Sequence, residues 1–138
     1  MKRIIERIAV AGIVKEKGKV LIIQRGDSDE YLSGLWEVPG GKREPNEKTI
    51  DGCKREVEKE TGLKIEVGDP IGIFEYKVEK PLEIREVTQI NFLVKPIGDI
   101  KVKLSPEHKN YAWIGKDEID NYNISKETKE IIRKAFKS

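Results

Sequence analysis

The sequence predicts an α/β (α+β) fold in a single domain over residues 1–138, and three observations predict it. Runs rich in Val, Ile, Phe and Tyr at 8–14, 20–23, 65–78 and 86–94 read as strands. Between the second and third runs, one segment carries both a helix start and a helix stop. A second amphipathic segment closes the chain. Strands and helices interspersed in a chain of 138 residues argue a mixed architecture around one core.

The elements follow in order. Residues 8–14 and 20–23 are apolar and β-branched, and Gly18 lies in the turn 15–19 between them, so the pair reads as a hairpin of buried strands. Residues 26–34 form a polar loop. Leu35-Trp36-Glu37-Val38 is a short strand stopped by Pro39-Gly40-Gly41. Asn46 is placed to cap a helix, with Glu47 and Asp51 at its positive end. Gly62 and Leu63 supply its C′ and C″ residues. Ile50, Cys53 and Val57 fall at spacings of three and four and predict its apolar stripe. Gly52 inside it costs about 1 kcal/mol relative to Ala, which suggests a close backbone approach. The strands 65–78 and 86–94 are joined near Lys80-Pro81, and 110–114 is one more short strand. Ser125 caps a last helix whose apolar face is Ile131, Ile132, Ala135 and Phe136.

Composition narrows the function. Charged residues make up 38 %, but 27 basic and 25 acidic side chains leave a net charge of only +2. That balance argues against a nucleic-acid partner. No run approaches the roughly 20 apolar residues of a membrane span, and the N-terminus lacks the pattern of a secretory signal, so a cytoplasmic protein is expected. The one cysteine, Cys53, reads as a buried helix residue rather than a reactive thiol.

The stretch from Gly41 to Leu63 carries the chemistry: Gly-Lys-Arg-Glu-Pro-Asn-Glu, seven residues, then Arg-Glu-Val-Glu-Lys-Glu-Thr-Gly-Leu. At about 100° per residue, Glu56 and Glu60 lie some 40° apart and can converge on one ion, whereas Glu58 faces away. Oxygen-rich Mg²⁺ sites use one or two carboxylates and leave the remaining positions to water and phosphate. A Gly-Gly loop beside such a helix suits a metal bound to a phosphate chain.

The same stretch resembles the signature of the Nudix hydrolases. Gly41, Glu47, Arg55, Glu56, Val57, Glu60, Gly62 and Leu63 fall in register, and Lys59 stands where the family has a glutamate. The resemblance implies the Nudix fold, a mixed β-sheet sandwiched between α-helices. It also implies that Glu56 and Glu60 hold Mg²⁺, or Mn²⁺ in its place, with the Gly40 carbonyl as a further ligand. Arg55 and Glu47 would hold the loop on the helix. A second pattern, Ser105-x-Glu107-His108-x-x-Tyr111-x-Trp113, is similar to one found in many Nudix enzymes and makes Glu107 a metal ligand or base. Either Glu56 or Glu107 is then the general base. His108, the only histidine, suits proton transfer by its ordinary pKa but reads more simply as a structural hydrogen-bonder.

The expected catalytic set is thus Glu56, Glu60, Glu107 and Arg55. Gly40, Glu56, Glu60 and Glu107 are the expected metal ligands; Gly41, Glu47, Arg55 and Gly62 shape the motif. Arg25, ending the second strand, and Gly41 are expected at the substrate phosphates. Tyr31, Trp36, Phe74, Tyr76 and Tyr111 are candidates to stack on a base. Gly34 to Lys42 looks like the MutT subgroup, but Lys126 falls near the place of that subgroup's base-reading asparagine, and Asn121 and Asn123 are not clearly aligned with it. The expectation is a Mg²⁺-dependent pyrophosphohydrolase that takes a small nucleotide, with a nucleoside triphosphate as the leading substrate. Dinucleoside polyphosphates or ADP-ribose-type compounds are the alternative, RNA decapping is a weaker one, and a degenerate, non-catalytic nucleotide-binding domain is the non-enzyme reading. Oligomeric state is left open, a homodimer included.

Overall fold

The computed structural model describes residues 1–27 and 33–138. Chain order is β1 (Arg3–Glu16), β2 (Lys19–Arg25), β3 (Trp36–Glu37), β4 (Gly40–Lys42), α1 (Thr49–Thr61), β5 (Ile65–Glu79), β6 (Glu83–Pro96), β7 (His108–Ile114), a 3₁₀ turn (Lys116–Asn121) and α2 (Lys126–Phe136). Among the described residues the strands form one mixed sheet in the order β3-β2-β1-β6-β5, with β4 added to β1 and β7 to β2.

β1 organises the sheet. From Arg3 to Val14 it runs parallel to β6, in register from Arg3↔Glu83 to Val14↔Val94. On its other edge it changes partner: Ala9, Val10 and Ala11 pair with β4, whereas Lys15 and Glu16 pair with β2. The hairpin to β2 turns through Lys17 and Gly18, both at positive φ (49° and 76°). That is the I′ geometry whose twist suits a two-residue hairpin. The sheet splays between β4 on one side and β2, β3 and β7 on the other, and the split opens a cleft.

Each face of β1 is covered by one helix. Val10 and Val14 pack with Cys53 and Val57 of α1, and with Leu21, Ile23, Leu63, Ile65, Phe92 and Val94. Ala11 and Ile13 pack with Ile131, Ile132 and Ala135 of α2, and with Val20, Ile22 and Ile114. The approach of α1 is close. A Cβ on Gly12 would lie 2.7 Å from Val57 Cγ2 and 2.8 Å from Val94 Cγ2. Glycine there lets the helix settle onto the strand.

The helix termini divide the sequence expectations. Gly62 closes α1 at φ 72°, with its N–H on the Glu58 carbonyl, as a left-handed C-terminal glycine should. Ser125 caps α2 by accepting from the Thr128 N–H at 3.2 Å. Asn46, however, does not cap α1. It sits at φ 64° in the preceding turn, a conformation Asn tolerates better than most residues, and the residue before the helix is Lys48, with no side-chain cap. Ile50 is half exposed, so the buried stripe is Cys53, Val57 and the helix end. Burial also pushes the Cys53 thiol up to about 12, which keeps it an inert core residue. No helix among the described residues is long and apolar enough to cross a membrane.

Candidate active site

One cleft of about 410 Å³ opens where the sheet splays. Arg25, Gly40, Gly41, Glu56, Glu60 and Glu107, six residues expected from the sequence, all line it. So do Glu37, Lys42, Glu44, Lys59 and His108. Carboxylates therefore crowd the walls, as in a site built around cations. A larger concavity, about 550 Å³, lies on the outer half of the β1-β6-β5 sheet. It holds Glu6, Glu75 and Glu86 among Arg7, Lys77 and Thr88, away from the Gly40–Gly41 loop.

The loop and α1 are locked by Glu47 and Arg55. Arg55 Nε donates to Glu47 Oε2 at 2.7 Å and Nη2 to Glu47 Oε1 at 3.0 Å. The Glu44 N–H completes the grip on Glu47 at 2.9 Å. Arg55, chiefly, holds the Glu47 carboxyl down at about 2, and that hydrogen bond raises the guanidinium in turn. Gly52 makes room for the pair, since a Cβ there would meet Glu47 Oε1 at 2.9 Å. Helix spacing alone offers Arg55 a partner in Asp51, at i−4, and sets Glu56 about 100° round the axis from it; the contacts that form are different. Arg55 Nη1 donates to Glu56 Oε1 at 2.5 Å, and Nη2 also reaches the Lys42 carbonyl at 3.1 Å. A long guanidinium spans one turn, so the angular separation of two Cα positions does not keep the tips apart.

Glu56 and Glu60 are both buried, at 7 % and 5 % exposure. The Glu56 carboxylate occupies the space that a side chain on Gly41 would fill: a Cβ there would lie 2.3 Å from Glu56 Oε2. Glu60 Oε1 accepts the Gly40 N–H at 2.8 Å. Burial pushes the Glu60 carboxyl up to about 7, against the opposing pull of the Gly40 N–H and His108, and Glu37 and Glu107 push the same way as burial. This carboxylate lacks a hydrogen-bonded cation among the described residues.

His108 is buried beside Glu60. Its Nε2 lies 2.8 Å from Glu37 Oε2, while Glu37 Oε1 accepts from Arg25 Nε at 3.1 Å. Its Nδ1 is 3.9 Å from Glu60 Oε2 and has no hydrogen-bond partner among the described residues. Arg25 thus reaches the cleft but spends one donor on Glu37. Glu37 was not among the residues the sequence singled out. Its trace is a charged residue between Trp36 and Val38, two residues before the Pro-Gly-Gly stop begins. Glu107 is 63 % exposed at the rim, 3.9 Å from Lys59 Nζ. Glu58 accepts the Ile65 N–H at 3.1 Å, away from the cleft. Among the aromatic candidates, Tyr76 lines the cleft. Trp36 packs edge-on against Tyr122 and Phe74 packs against the core. Tyr111 is 46 % exposed, and Tyr31 lies outside the described residues.

The donor chemistry fits a hard divalent cation. The two buried side chains that α1 sets against the Gly40–Gly41 loop, Glu56 and Glu60, both end in carboxylate oxygen, and among the described residues Glu60 has the Gly40 N–H but no hydrogen-bonded cation. Among the described residues, no three His, Cys, Asp or Glu side chains close into a cage. An ion that takes one or two protein carboxylates and fills its octahedron with water and phosphate suits such a site.

Comparison with known proteins places the chain. The NUDIX domain model matches residues 5–135. A MutT-like protein of Streptomyces ambofaciens is 34 % identical over 113 residues, which cover 81 % of this chain and 66 % of that protein. The nucleoside triphosphatase NudI of Escherichia coli K12 is 25 % identical over 136 residues, covering 93 % of this chain and 95 % of NudI. The crystal structure of a MutT protein from Methanosarcina mazei superposes with a TM-score of 0.81 at 28 % identity, over 99 % of this chain and 96 % of that one.

Proposed function

This chain belongs to the Nudix hydrolase family, and from that premise we propose that it is a divalent-metal-dependent pyrophosphohydrolase acting on a nucleoside triphosphate. The observation that carries the proposal is the pair of buried carboxylates, Glu56 and Glu60, against the Gly40–Gly41 loop. Burying two acids, with one backbone N–H and no hydrogen-bonded cation on Glu60 among the described residues, is costly unless a cation joins them. The names of the relatives, MutT-like and nucleoside triphosphatase, support the substrate class.

In the proposed reaction, water attacks one phosphorus in line. One phosphoanhydride P–O bond breaks, and the leaving phosphate takes the bonding pair. Mg²⁺, with Mn²⁺ as a substitute, supplies neutralisation of the phosphate oxygens and activation of water. Glu56 and Glu60 would hold it. Arg55 fixes Glu56 in place, and Glu47 fixes Arg55. Gly41 leaves the gap that the Glu56 carboxylate occupies. Lys42 and Lys59 line the same cleft as positive charges, and the Mg²⁺ titration of Lys59→Glu decides whether Lys59 meets the phosphates. Glu56 and Glu107 are the two candidate bases.

The non-catalytic reading rested on Lys59. That side chain is 56 % exposed and leans towards Glu107 rather than into the buried pair, which favours the enzyme. The test is release of phosphate or pyrophosphate from a panel of nucleoside triphosphates, dinucleoside polyphosphates and sugar nucleotides, with and without Mg²⁺. Metal-dependent turnover of a triphosphate, lost in Glu60→Gln and strongly reduced in Glu56→Gln, is expected. Near-wild-type turnover in Glu60→Gln would sink the assignment. A Glu107→Ala loss that exceeds the Glu56→Gln loss would make Glu107 the base.

A further inference from the structure

The cleft has a second end, away from the carboxylates, lined by Ala9, Tyr76, Gln89 and Thr128. Ala9 pairs with Lys42 on one side and with Gln89 on the other. Gln89 therefore stands two strand spacings, about 10 Å, from the β4 row that borders the metal-binding carboxylates. Its cross-strand partner is Phe74, and Tyr76 is the diagonal neighbour on the same face of the sheet. The Phe74 and Tyr76 rings are 6.0 Å apart, and Tyr76 is 40 % exposed. An aromatic face and an amide thus share one wall.

That amide is not free to turn over. The ladder between β5 and β6 shifts register between Val67 and Pro70 and again before Gly72. Such an irregularity frees backbone groups from the ladder and re-aims side chains. Here the Gly72 carbonyl accepts from Asn91 Nδ2 at 3.2 Å. A side chain on Gly72 would force Ile131 of α2 to move, because Ile131 Cδ1 lies 2.3 Å from where its Cβ would be. A carbonyl oxygen can only accept, so the nitrogen of the fully buried Asn91 must face it. Asn91 Oδ1 then faces Gln89, and Gln89 answers with Nε2 at 2.8 Å. The bulge sets Asn91, Asn91 sets Gln89, and Gln89 Oε1 is turned away from Asn91 as an acceptor.

We propose that Gln89 reads the nucleobase, accepting a hydrogen bond at Oε1 from an exocyclic amino group, and that Asn91 is the positioning residue that fixes this polarity. The inference rests on the reading that the substrate is a nucleotide. A base amino group projects outward and meets the fixed Oε1 acceptor without interference. The N3–H of uracil is recessed between two carbonyl oxygens, which repel the same acceptor. The site therefore favours cytosine over uracil and adenine over hypoxanthine, with Tyr76 as the stacking face.

The test compares ligands that differ at this group alone. Dissociation constants of CMP, UMP, AMP and IMP are measured by calorimetry, with inorganic tripolyphosphate as the base-free ligand. Wild-type protein should prefer the amino member of each pair by about tenfold, the worth of one uncharged hydrogen bond. Gln89→Leu should bring both ratios near one and leave tripolyphosphate affinity unchanged. Asn91→Leu, checked for folding by its melting curve, should lower the ratios while Gln89 is still present. Equal affinities within both pairs in the wild type would overturn the proposal, and so would a wild-type ratio in Gln89→Leu. A proportional loss of tripolyphosphate affinity would do the same. Intact base preference beside absent turnover of every triphosphate would instead overturn the hydrolase substrate reading and leave the base reader standing.

Discussion

Replacing Glu60 by Gln should stabilise the metal-free protein while it removes activity. Glu60 is 5 % exposed, and burial lifts its carboxyl from 4.5 to about 7. A raised carboxyl titrates in the direction opposite to a salt-bridged one. Below pH 4.5 the acid is neutral both folded and unfolded and costs nothing. Between 4.5 and 7 the unfolded chain ionises first. Above 7 the folded chain carries the full penalty, about 3 kcal/mol for a shift of this size. The Gln amide oxygen can still accept the Gly40 N–H, so the variant keeps the hydrogen bond and loses the charge. Its melting temperature in chelator at pH 8 should exceed wild type by about 10 °C, and the gap should close at pH 4.5. Added Mg²⁺ should raise the melting temperature of the wild type more than that of the variant, because a ligand that binds only the folded state stabilises it. Scanning calorimetry at the two pH values, with chelator and then with Mg²⁺, measures all of this. An equal or lower melting temperature for Glu60→Gln at pH 8 in chelator would refute the reasoning.

Other predictions follow from neighbouring contacts. Gly41→Ala puts a Cβ where the Glu56 carboxylate lies, so turnover should fall at least tenfold while circular dichroism stays native. Glu47 is held at about 2 by Arg55; a depressed carboxyl stabilises above its ordinary pKa and loses that contribution as pH falls through the folded value. Glu47→Gln should therefore be the less stable protein at pH 7, with the difference from wild type shrinking towards pH 2 in acid-unfolding curves. Lys59→Glu removes a cation lying 3.9 Å from Glu107. If the ammonium opposes metal binding, half-maximal activity should need less Mg²⁺. A requirement for more Mg²⁺ would mean that Lys59 contacts the phosphates, and an unchanged titration would discard both roles.

The local grammar of α1 was legible because helix geometry is periodic. The i, i+4 spacing alone put Glu56 and Glu60 on one face, and a glycine at the end announced the left-handed cap at Gly62. The start of the same helix was misread, because Asn serves equally as a cap and in a left-handed turn, and only the turn through Asn46 decided between them. Ile50 fitted the apolar spacing, yet among the described residues it stays half exposed.

By itself, the sequence determined the family, the mixed α/β character and the helix that carries the acids, since each depends on residue types at fixed short spacings. Tertiary structure decided how those acids are tuned. Glu37 meets His108 across 71 residues of chain, and it does so because β3 and β7 both pair with β2. Glu60 is pushed up because tertiary packing buries it, against the pull of the Gly40 N–H and His108. Gln89 takes its polarity from a bulge 17 residues upstream at Gly72. Contacts of this kind arise from strand register and helix packing, which place distant residues side by side, and no short window of sequence contains both partners.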